Sequence, residues 1–457
     1  MPLDINVVRN EPEAVKESER RRFRDPALVD QVLALDAEWR ASVSRADQLR
    51  GEKNAVQKRI TAAKKAKEEC DDLLAEKRRV EAEAEAEVKR TKELLADRDR
   101  ELAKLGNILD ESVVVSQDEE ADMDKVHEWT SPAAPPRVLP EDGRNHHHLL
   151  YMLGGYEPER GTSVAGHRAY FLTGAGVLLN QALVNFGVSF LTERGYTAVQ
   201  PPYFMKKEVM AGVAQLEQFD EELYHVKGPR DEEYYLIATS EQPLCAMHMG
   251  DWISERDLPI RYAGTSTCFR KEAGAHGKDN WGIFRVHQFE KIEQFVICEC
   301  DIEKSRALHE EMRHTAQDFL QALGISYRVV NIVSGELNNA AIKKYDIEGW
   351  FPGYGTYREL VSCSNCTDYQ SRAMGIRCGQ KKMNEDKKYV HMLNSTLCAT
   401  TRCLCAILEN YQTDRGVRVP EALVPYMGGR TFLEFKRNLD GTPFTGPVAR
   451  PPAAPVA

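Results

Sequence analysis

The sequence predicts an α+β protein in which an N-terminal antiparallel two-helix coiled coil precedes an antiparallel sheet flanked by helices. Three observations predict this fold. Apolar residues recur at heptad spacing through the first third of the chain, a Pro-rich stretch follows, and helix-type and strand-type patterns alternate from Tyr170 onward. The 457 residues are enough for two or three domains and a sizeable core.

Two heptad series predict the coiled coil. The first comprises Leu28, Val32, Leu35, Trp39, Ala46, Leu49, Val56, Ile60 and Ala63, and the second comprises Leu73, Val80, Ala84, Val88, Leu95, Leu102 and Leu109. Residues 67–72 can form the turn between them. Two helices of ~35 residues would extend about 50 Å. We therefore expect an N-terminal domain at 1–112 with a helical hairpin at about 28–108.

The outward positions of this hairpin are rich in basic residues, including Lys53, Lys58, Arg59, Lys64, Lys77, Arg78 and Arg79. Glutamates are interleaved with them. A solvated coiled-coil face with i,i+4 ion pairs accounts for this composition, and so does a surface that contacts a phosphate backbone. Composition does not separate the two interpretations.

Three later segments complete the expected organisation. Residues 113–145 contain acidic clusters and the string SPAAPPRVLPEDG, which predicts a linker. A main domain is expected at 146–438, and a disordered Pro-rich tail at 439–457. His146-His147-His148 opens the main domain, and we expect surface or helix-entry residues rather than a metal site.

Composition excludes several classes of protein. No apolar run approaches the ~20 residues of a membrane-spanning helix, and the first 25 residues resemble neither a signal nor a transit peptide, so the expected location is cytoplasmic. The net charge of −10 opposes wholesale wrapping of nucleic acid, and no DNA partner is expected. The 11 cysteines include one isolated Cys-x-x-Cys, Cys363 to Cys366, and no second pair at zinc-ribbon spacing, so no zinc is expected.

Individual elements follow from local patterns. We expect helices at 178–194 and 397–411, and strands at 197–202, 265–269, 284–295 and 357–362. Residues 264–295 then form a hairpin with a polar, Gly-rich turn. It contains Arg270, Glu272, Arg285 and Phe289.

This hairpin predicts a nucleotide site. The sequence contains neither G-x-x-x-x-G-K-[ST] nor a strand-linked G-x-G-x-x-G, so P-loop and Rossmann sites are excluded. Arginines on an antiparallel sheet can bind phosphate oxygens instead, because the guanidinium is always charged and planar. Arg270 and Arg285 bracket the hairpin, and Arg402 belongs to the late helix.

Several strings together resemble the class II aminoacyl-tRNA synthetases and, within them, the seryl-tRNA synthetases of the cytosolic eukaryotic type. Residues 195–202 resemble motif 1, residues 269–272 and 285–289 resemble motif 2, and residues 399–402 resemble motif 3 with Thr401 in place of its usual glycine. The strings at 238–241, 358–366 and 391–396 are similar to the seryl enzymes in particular. The resemblance extends over nearly the whole chain.

The resemblance implies an ATP site and its chemistry. Arg270, Glu272, Arg285 and Arg402 would be catalytic, with Phe289 and Arg402 stacking on the adenine. Glu359 and Ser362 would hold Mg²⁺ through ATP, because a hard divalent cation prefers oxygen ligands. The implied ATP-binding residues are Arg270, Lys271, Glu272, Arg285, Val286, His287, Gln288, Phe289, Glu359, Leu360, Val361, Ser362 and Arg402.

The resemblance also implies a serine site, formed by Thr239, Glu241, Arg270, Glu293, Asn394 and Thr396. Glu293 would accept a hydrogen bond from the serine hydroxyl, and Thr396 stands where the family commonly has a serine. Implied partners are tRNA(Ser), with tRNA(Sec) as a second candidate, and another copy of the chain in a homodimer. The loop at 273–281 is a further candidate for contact with the tRNA acceptor end.

Two alternatives stay open. The same fold could charge another small amino acid, such as threonine, proline or glycine. A non-catalytic synthetase-like protein could instead bind tRNA or act as a scaffold. The presence of Arg270, Glu272, Arg285, Glu359 and Arg402 favours an enzyme over the non-catalytic alternative.

Overall fold

The computed structural model describes residues 3–139, 143–213, 221–272, 281–380 and 387–446, and the chain forms two compact units. The first unit comprises Met1–Leu109 with Asn338–Ala340. The second comprises Asp110–Leu337 and Ala341–Ala457, so it contains the segment predicted as a linker and the predicted main domain apart from Asn338–Ala340.

The first unit contains the predicted antiparallel helical hairpin, which is confirmed. Its helices are α1 (Ile5–Asn10), α2 (Pro12–Arg21), α3 (Ala27–Ala66) and α4 (Asp71–Leu102). The 40 residues of α3 extend about 60 Å at 1.5 Å per residue. Lys67 ends α3 in the left-handed conformation, at φ 59°, and its N–H caps the carbonyl of Ala63.

The seam between α3 and α4 departs from the heptad prediction at one position. Val56, Ile60 and Val80 are buried, but Val88 is 40% exposed. The eight-residue step from Val80 advances the helix by about 80° beyond two turns, so Val88 faces away from the partner helix. Ser42 donates to Glu87 at 2.5 Å at this level of the seam.

A buried polar network fixes the base of the hairpin. Asp36 is fully buried and accepts from Arg9 Nη2 at 2.6 Å and Arg98 Nη1 at 3.1 Å. Burial alone would raise the pKa of Asp36, but these two guanidinium groups lower it below its usual value. The Arg98 guanidinium also lies 4.6 Å from the centre of the Trp39 ring.

The second unit contains the remaining described helices and strands. The helices are α5 (His146–Met152), α6 (Pro158–Ala165), α7 (Gly174–Thr192), α8 (Lys207–Met210), α9 (Glu241–Ala246), α10 (Ile302–Ala322), α11 (Tyr369–Met374) and α12 (Thr400–Tyr411). The strands are β1 (Asp124–Trp129), β2 (Tyr156–Glu157), β3 (Phe171–Leu172), β4 (Thr197–Val199), β5 (Phe204–Lys206), β6 (His225–Lys227), β7 (Glu233–Leu236), β8 (Trp252–Ile253), β9 (Ile260–Phe269), β10 (Gln288–Cys298), β11 (Tyr327–Asn331), β12 (Lys343–Phe351), β13 (Thr356–Asn365), β14 (Arg377–Cys378), β15 (His391–Ala399), β16 (Gly416–Arg418) and β17 (Phe432–Glu434).

An eight-stranded sheet organises this unit, in the order β1-β11-β12-β13-β15-β10-β9-β4. Its pairs are antiparallel except for β4 with β9, which is parallel. Alternate residues of each strand face opposite sides of the sheet. Val361, Leu393 and Leu397 belong to the core that α7, α10 and α12 form on one face. The opposite face is left for Ser362, Asn394 and Thr396.

Helix α7 is long and apolar enough to cross a membrane, by length and composition alone. Here it packs on the sheet. Phe186 stacks on Phe319 of α10 with ring centres 5.1 Å apart, and Leu183 and Leu191 are fully buried. Its apolar character is therefore explained by its place in the core.

The segment predicted as a linker contributes strand β1, which corrects that prediction. It pairs with β11 from Asp124 opposite Asn331 to Trp129 opposite Tyr327, and the Trp129 and Tyr327 rings stack 5.8 Å apart. β1 is an edge strand with largely exposed residues, so it shows no alternation of apolar and polar residues.

Most of the other predicted element boundaries are also shifted in the structure, and three of these differences are informative. The helix expected at 397–411 begins only at Thr400, because residues 397–399 are the end of strand β15. They belong to an apolar run, and the periodicity of such a run does not distinguish a strand from a helix. The strand expected from Phe284 begins at Gln288. The tail expected to be disordered from Leu439 is placed as far as residue 446, where Phe444 packs against Phe435 with ring centres 5.5 Å apart.

Candidate functional site

A cavity lies on the polar face of the large sheet. Its lining residues are Arg270, Glu272, Phe284, Arg285, Val286, Phe289, Lys291, Glu359, Leu360, Thr396, Ala399, Thr401 and Arg402. Strands β10, β13 and β15, the start of α12 and the segments after β9 and before β10 contribute these side chains. Residues far apart in sequence therefore form one site that contains three arginines.

The β9–β10 hairpin places two of these arginines. Arg285 Nη1 lies 3.0 Å from Glu272 Oε2, and Arg168 Nη1 donates to the Glu272 carbonyl at 2.7 Å. The Arg270 guanidinium lies 5.5 Å from the centre of the Phe289 ring, and Arg270 Nε donates to the Ala238 carbonyl at 3.3 Å. These contacts orient planar cations toward the cavity, as binding of a polyphosphate requires.

Other residues of the implied ATP set take different positions. His287 Nδ1 lies 3.0 Å from the carbonyl oxygen of Arg270, Gln288 is exposed and Val361 is buried in the core. Lys271, His287, Gln288, Val361 and Ser362 are not among the residues that line the cavity. The loop proposed for contact with the acceptor end, apart from Trp281, lies outside the described residues.

Arg402 and Glu359 form an ion pair in the wall of the cavity. Arg402 Nη1 donates to both the carbonyl and Oε2 of Glu359, each at 3.0 Å, and its guanidinium lies 5.0 Å from the centre of the Phe284 ring. Burial alone would raise the pKa of Glu359, but Arg402 and Lys344 lower it by more than burial raises it. The net shift is below the usual value, so the carboxylate stays ionised.

A register shift brings Glu359 and Ser362 to one face of β13. Residues three apart on a regular strand face opposite sides. Here Glu359 pairs with Glu348 and Ser362 pairs with Asp346, two residues that share a face of β12, so Leu360 is an extra residue. The bulge therefore gives the two predicted magnesium ligands a common orientation.

Asp346 adds a third oxygen-bearing side chain to this face. It is 8% exposed, and its Oδ1 has no hydrogen-bond partner within the described part of the chain. Burial and the neighbouring Glu359 and Glu119 carboxylates raise the pKa of Asp346, against the lowering effect of Lys344. Three carboxyl groups, those of Asp346, Glu359 and Glu119, thus lie near the ammonium group of Lys344.

The implied serine-binding residues form two neighbouring groups. In the first, Glu241 Oε1 accepts from Asn394 Nδ2 at 3.0 Å and from Gln370 Nε2 at 2.7 Å, and the Glu241 N–H donates to Thr239 Oγ1 at 3.2 Å. Burial and the Glu293 carboxylate raise the pKa of Glu241, while the Gln370 hydrogen bond opposes the shift. Four residues from three separate segments meet here.

In the second group, Glu293 lies deep in the sheet and is 2% exposed. Lys291 Nζ is 2.6 Å from Glu293 Oε2, and Thr396 is the cross-strand partner of Glu293. Lys291 and Thr396 also line the cavity. A buried carboxylate therefore lies beside the arginine-rich site with one close cation.

Sequence reasoning missed Lys291, Gln370 and Phe284. Lys291 stands two residues before Glu293 on one strand, so the period-two rule could have found it. Phe284 directly precedes Arg285, yet an aromatic residue there is equally typical of a core. Gln370 lies four residues beyond the Cys363–Cys366 string, and only the fold brings it to Glu241.

The histidine and cysteine motifs have structural positions. His146 begins α5 as expected, but it is buried rather than on the surface: its backbone N–H and its Nδ1 both contact Glu409 Oε1, at 3.0 and 2.9 Å. Cys363 and Cys366 are both buried, and Cys366 Sγ accepts from Asn394 Nδ2 at 3.6 Å. The expectation of no zinc stays a prediction.

The basic residues of the hairpin divide into two kinds. Lys53 lies 3.1 Å from Glu81 and Arg59 lies 3.1 Å from Glu76, while Lys77 and Arg79 form longer pairs with Glu81 and Glu83. Lys58, Lys64 and Arg78 are exposed and form no ion pair within the described residues. Only this second kind presents unneutralised charge.

An arginine-lined cavity on an antiparallel sheet, next to paired carboxylates that suit an ammonium group, is the arrangement of an amino-acid-activating class II aminoacyl-tRNA synthetase. The family model described as the tRNA synthetase class II core domain (G, H, P, S and T) matches residues 224–411. The seryl-tRNA synthetase N-terminal domain matches residues 2–109.

Relatives that match over nearly their full length identify the family within class II. The cytoplasmic serine–tRNA ligase of Arabidopsis thaliana is 50% identical over 95% of this chain and 96% of its own length. The crystal structure of the cytoplasmic serine–tRNA ligase of Naegleria fowleri with AMP is 48% identical in sequence, with a TM-score of 0.84. The crystal structure of the seryl-tRNA synthetase of Pyrococcus horikoshii with ATP is 40% identical, with a TM-score of 0.85. Each match covers 95% of this chain and 99% of the chain in the crystal structure. The chain belongs to the seryl-tRNA synthetase family, and its activity is that of a serine–tRNA ligase.

The family decides between the alternatives that the sequence left open. Relatives that match over nearly their entire length are serine–tRNA ligases, so neither another amino acid nor a non-catalytic scaffold accounts for this chain. The predictions of family, fold, activity and location are confirmed.

Proposed function

We propose that the cavity lined by Arg270, Arg285 and Arg402 binds ATP and that the carboxylates beside it bind serine. One carboxylate oxygen of serine attacks the α-phosphorus, and pyrophosphate leaves with its bonding electrons. A ribose hydroxyl of the terminal tRNA adenosine then attacks the carbonyl carbon, and AMP leaves. One observation supports this proposal: the cavity contains three arginines, and it lies beside a group of acidic and amide side chains. That group comprises Glu241, Glu293, Gln370 and Asn394.

The arginines act by electrostatics and positioning. Arg270 stabilises the charge that develops on the α-phosphate and binds the serine carboxylate, and Arg285 holds the γ-phosphate. Glu272 accepts from the adenine amino group, while Phe289 and Arg402 stack on the adenine ring. Glu272 and Glu359 pair with Arg285 and Arg402, so ATP binding exchanges these ion pairs for phosphate and base contacts.

Glu359 and Ser362 suit a magnesium ion bound through ATP. Both offer oxygen and share one face of β13 through the bulge at Leu360, and the Glu359 carboxylate stays ionised. When bound, the ion neutralises phosphate charge and orients the triphosphate. Glu359 would then hold this ion in place of its pairing with Arg402, which would stack on the adenine.

For serine, Thr239 and Glu241 bind the ammonium group and Glu293 accepts from the hydroxyl, with Asn394 and Thr396 beside them. A buried acceptor that loses the hydroxyl would stay unpaired, which disfavours alanine. Burial of Glu293 at 2% exposure supports this role, because such an acceptor gains most from a hydroxyl donor.

The partners are tRNA(Ser), with tRNA(Sec) as a second candidate, and a second copy of the chain. Lys58, Lys64 and Arg78 are the hairpin residues best suited to contact a phosphate backbone. The homodimer would form at the β4 edge of the sheet and α7, where Val177 and Leu178 of α7 are 41% and 40% exposed. The mass of the chain in solution, by light scattering, tests the dimer.

Amino-acid-dependent ATP–pyrophosphate exchange tests the site. We expect exchange with serine but not with threonine, proline or glycine, and R270A should abolish it while tRNA still binds. R261A is a matched control, because Arg261 lies on β9, which ends just before Arg270, but pairs with Glu311 of α10. Near-normal exchange by R270A would contradict the role given to Arg270.

A further inference from the structure

Glu241 is held by two amide groups from different segments. Gln370 Nε2 donates to its Oε1 at 2.7 Å and Asn394 Nδ2 donates to the same oxygen at 3.0 Å. The orientation of the Gln370 amide follows from chemistry, since an ionised carboxylate offers only acceptors and must face the NH₂ group. Gln370 belongs to α11, and Asn394 to β15.

This orientation leaves the other end of the Gln370 amide without a donor. Gln370 is 4% exposed, and its Oε1 accepts no hydrogen bond from the described residues. Nε2 and Oε1 share one carbon, so Oε1 lies within about 5 Å of Glu241 Oε1. A buried acceptor without a partner is unfavourable and uncommon, so a ligand that donates there explains it.

We propose that Gln370 binds the α-ammonium group of serine through Oε1 while it holds Glu241 through Nε2. This inference rests on the proposed serine site at Thr239 and Glu241. An ammonium group has three N–H donors, and Thr239 Oγ1, Glu241 Oε2 and Gln370 Oε1 supply three acceptors around Glu241. Asn394 and Gln370 then keep Glu241 oriented, and Gln370 also contacts the substrate.

Q370M tests this inference, because methionine keeps the length of the side chain but removes both amide functions. We expect the KM for serine in ATP–pyrophosphate exchange to rise roughly 10- to 100-fold, as for loss of a hydrogen bond to a charged group. The KM for ATP should stay within about twofold. Q317M is the matched control, since Gln317 is also 4% exposed but bonds Arg313 and Tyr327.

Two serine analogues separate contact with the ammonium from mere support of the fold. L-serinamide keeps the ammonium group, whereas L-glycerate replaces it with a hydroxyl. In Q370M, inhibition by L-serinamide should weaken by roughly the same 10- to 100-fold factor as serine, and inhibition by L-glycerate by less than about threefold. Equal weakening of both analogues, or a normal KM for serine, would overturn the proposal.

Q370E provides a second variant that keeps the shape of the side chain. Its new carboxyl faces Glu241, so at pH 8 two carboxylates would repel and the KM for serine should rise. At pH 6 one shared proton restores a hydrogen bond, so the KM should partly recover. The charged and titratable groups that face Glu241 are Arg270 and Lys291, Glu293, Cys245 and Cys366. A KM in Q370E that is unchanged from the parent protein across this range would also overturn the proposal.

The variant E241Q separates a failure of the proposed serine site from a failure of the role given to Gln370. It should raise the KM for serine if Glu241 binds the ammonium group. A normal KM in E241Q would contradict the proposed serine site itself. A raised KM in E241Q with a normal KM in Q370M would overturn only the role given to Gln370.

Discussion

Lys291 Nζ lies 2.6 Å from Glu293 Oε2, and the two residues are 6% and 2% exposed. The pair joins the two halves of the site, since Lys291 lines the cavity proposed for ATP and Glu293 is the residue proposed to bind the serine hydroxyl. A buried ion pair gains little over well-packed apolar residues, but removal of one partner leaves an uncompensated charge.

Removal of Lys291 alone should therefore be costly. We expect K291M to lower the free energy of unfolding by about 3–5 kcal/mol. K291M/E293Q should be less destabilised than the sum of the two single variants, because the uncompensated charge is gone. Urea unfolding of the four proteins in this cycle measures the coupling. Additive effects would mean that the two charges do not interact.

Glu359 should determine how much Mg²⁺ the enzyme requires. We expect E359Q to need at least about tenfold more Mg²⁺ for half-maximal ATP–pyrophosphate exchange, since a charged ligand is lost. E348Q is the matched control: Glu348 is the cross-strand neighbour of Glu359 but pairs with Arg328. An unchanged Mg²⁺ dependence in E359Q would contradict its role as a ligand.

The sequence predicts most of this site but not all of it. Arg270, Glu272 and Arg285 belong to one hairpin, so local spacing was sufficient to place them together. Gln370 reaches Glu241 across 129 positions of sequence, and no local pattern encodes that contact. The shared orientation of Glu359 and Ser362 depends on a bulge, which alternation of polar and apolar residues cannot reveal.

The same limit applies to the helical hairpin. Its heptads predict the two helices because a seam residue every three or four positions is a local signal. Val88 was wrongly assigned to the seam because the series was continued across an eight-residue step, although the helical repeat turns that residue outward.

His146 should make stability depend on pH in the alkaline range. Burial alone would lower the pKa of His146, but Cys405 and Glu409 outweigh it and raise the pKa to about 10. A pKa raised on folding gives stability that is full below about 6.5 and is lost as pH rises toward 10, at up to about 1.4 kcal/mol per pH unit.

The destabilisation caused by H146Q should therefore be largest near pH 6.5 and shrink between pH 7 and pH 10, as measured by urea unfolding. H148Q is the control within the same helix. Burial lowers the pKa of His148, so its contribution is lost as pH falls instead. A penalty for H146Q that does not vary with pH would mean that His146 is neutral in the folded protein.

The outer part of the helical hairpin should affect tRNA charging but not serine activation. A deletion that spares the base must keep Asp36 with Arg9 and Arg98, so residues 43–90 are the segment to replace with a short turn. We expect this variant to lose tRNA charging and to keep serine-dependent ATP–pyrophosphate exchange. Equal loss of both activities would mean that the hairpin is structural.

K58E/K64E/R78E tests the charged surface without shortening the hairpin. Each lost phosphate contact should reduce the slope of log K for tRNA binding against log salt by about 0.7–0.9. The swap R59E/E76R is the matched control, because it keeps both the net charge and the ion pair that these residues form at 3.1 Å. If the hairpin binds a phosphate backbone, the triple variant should weaken tRNA binding at low salt far more than the swap does. Equal affinities would favour a solvated coiled-coil face, the interpretation that composition left open.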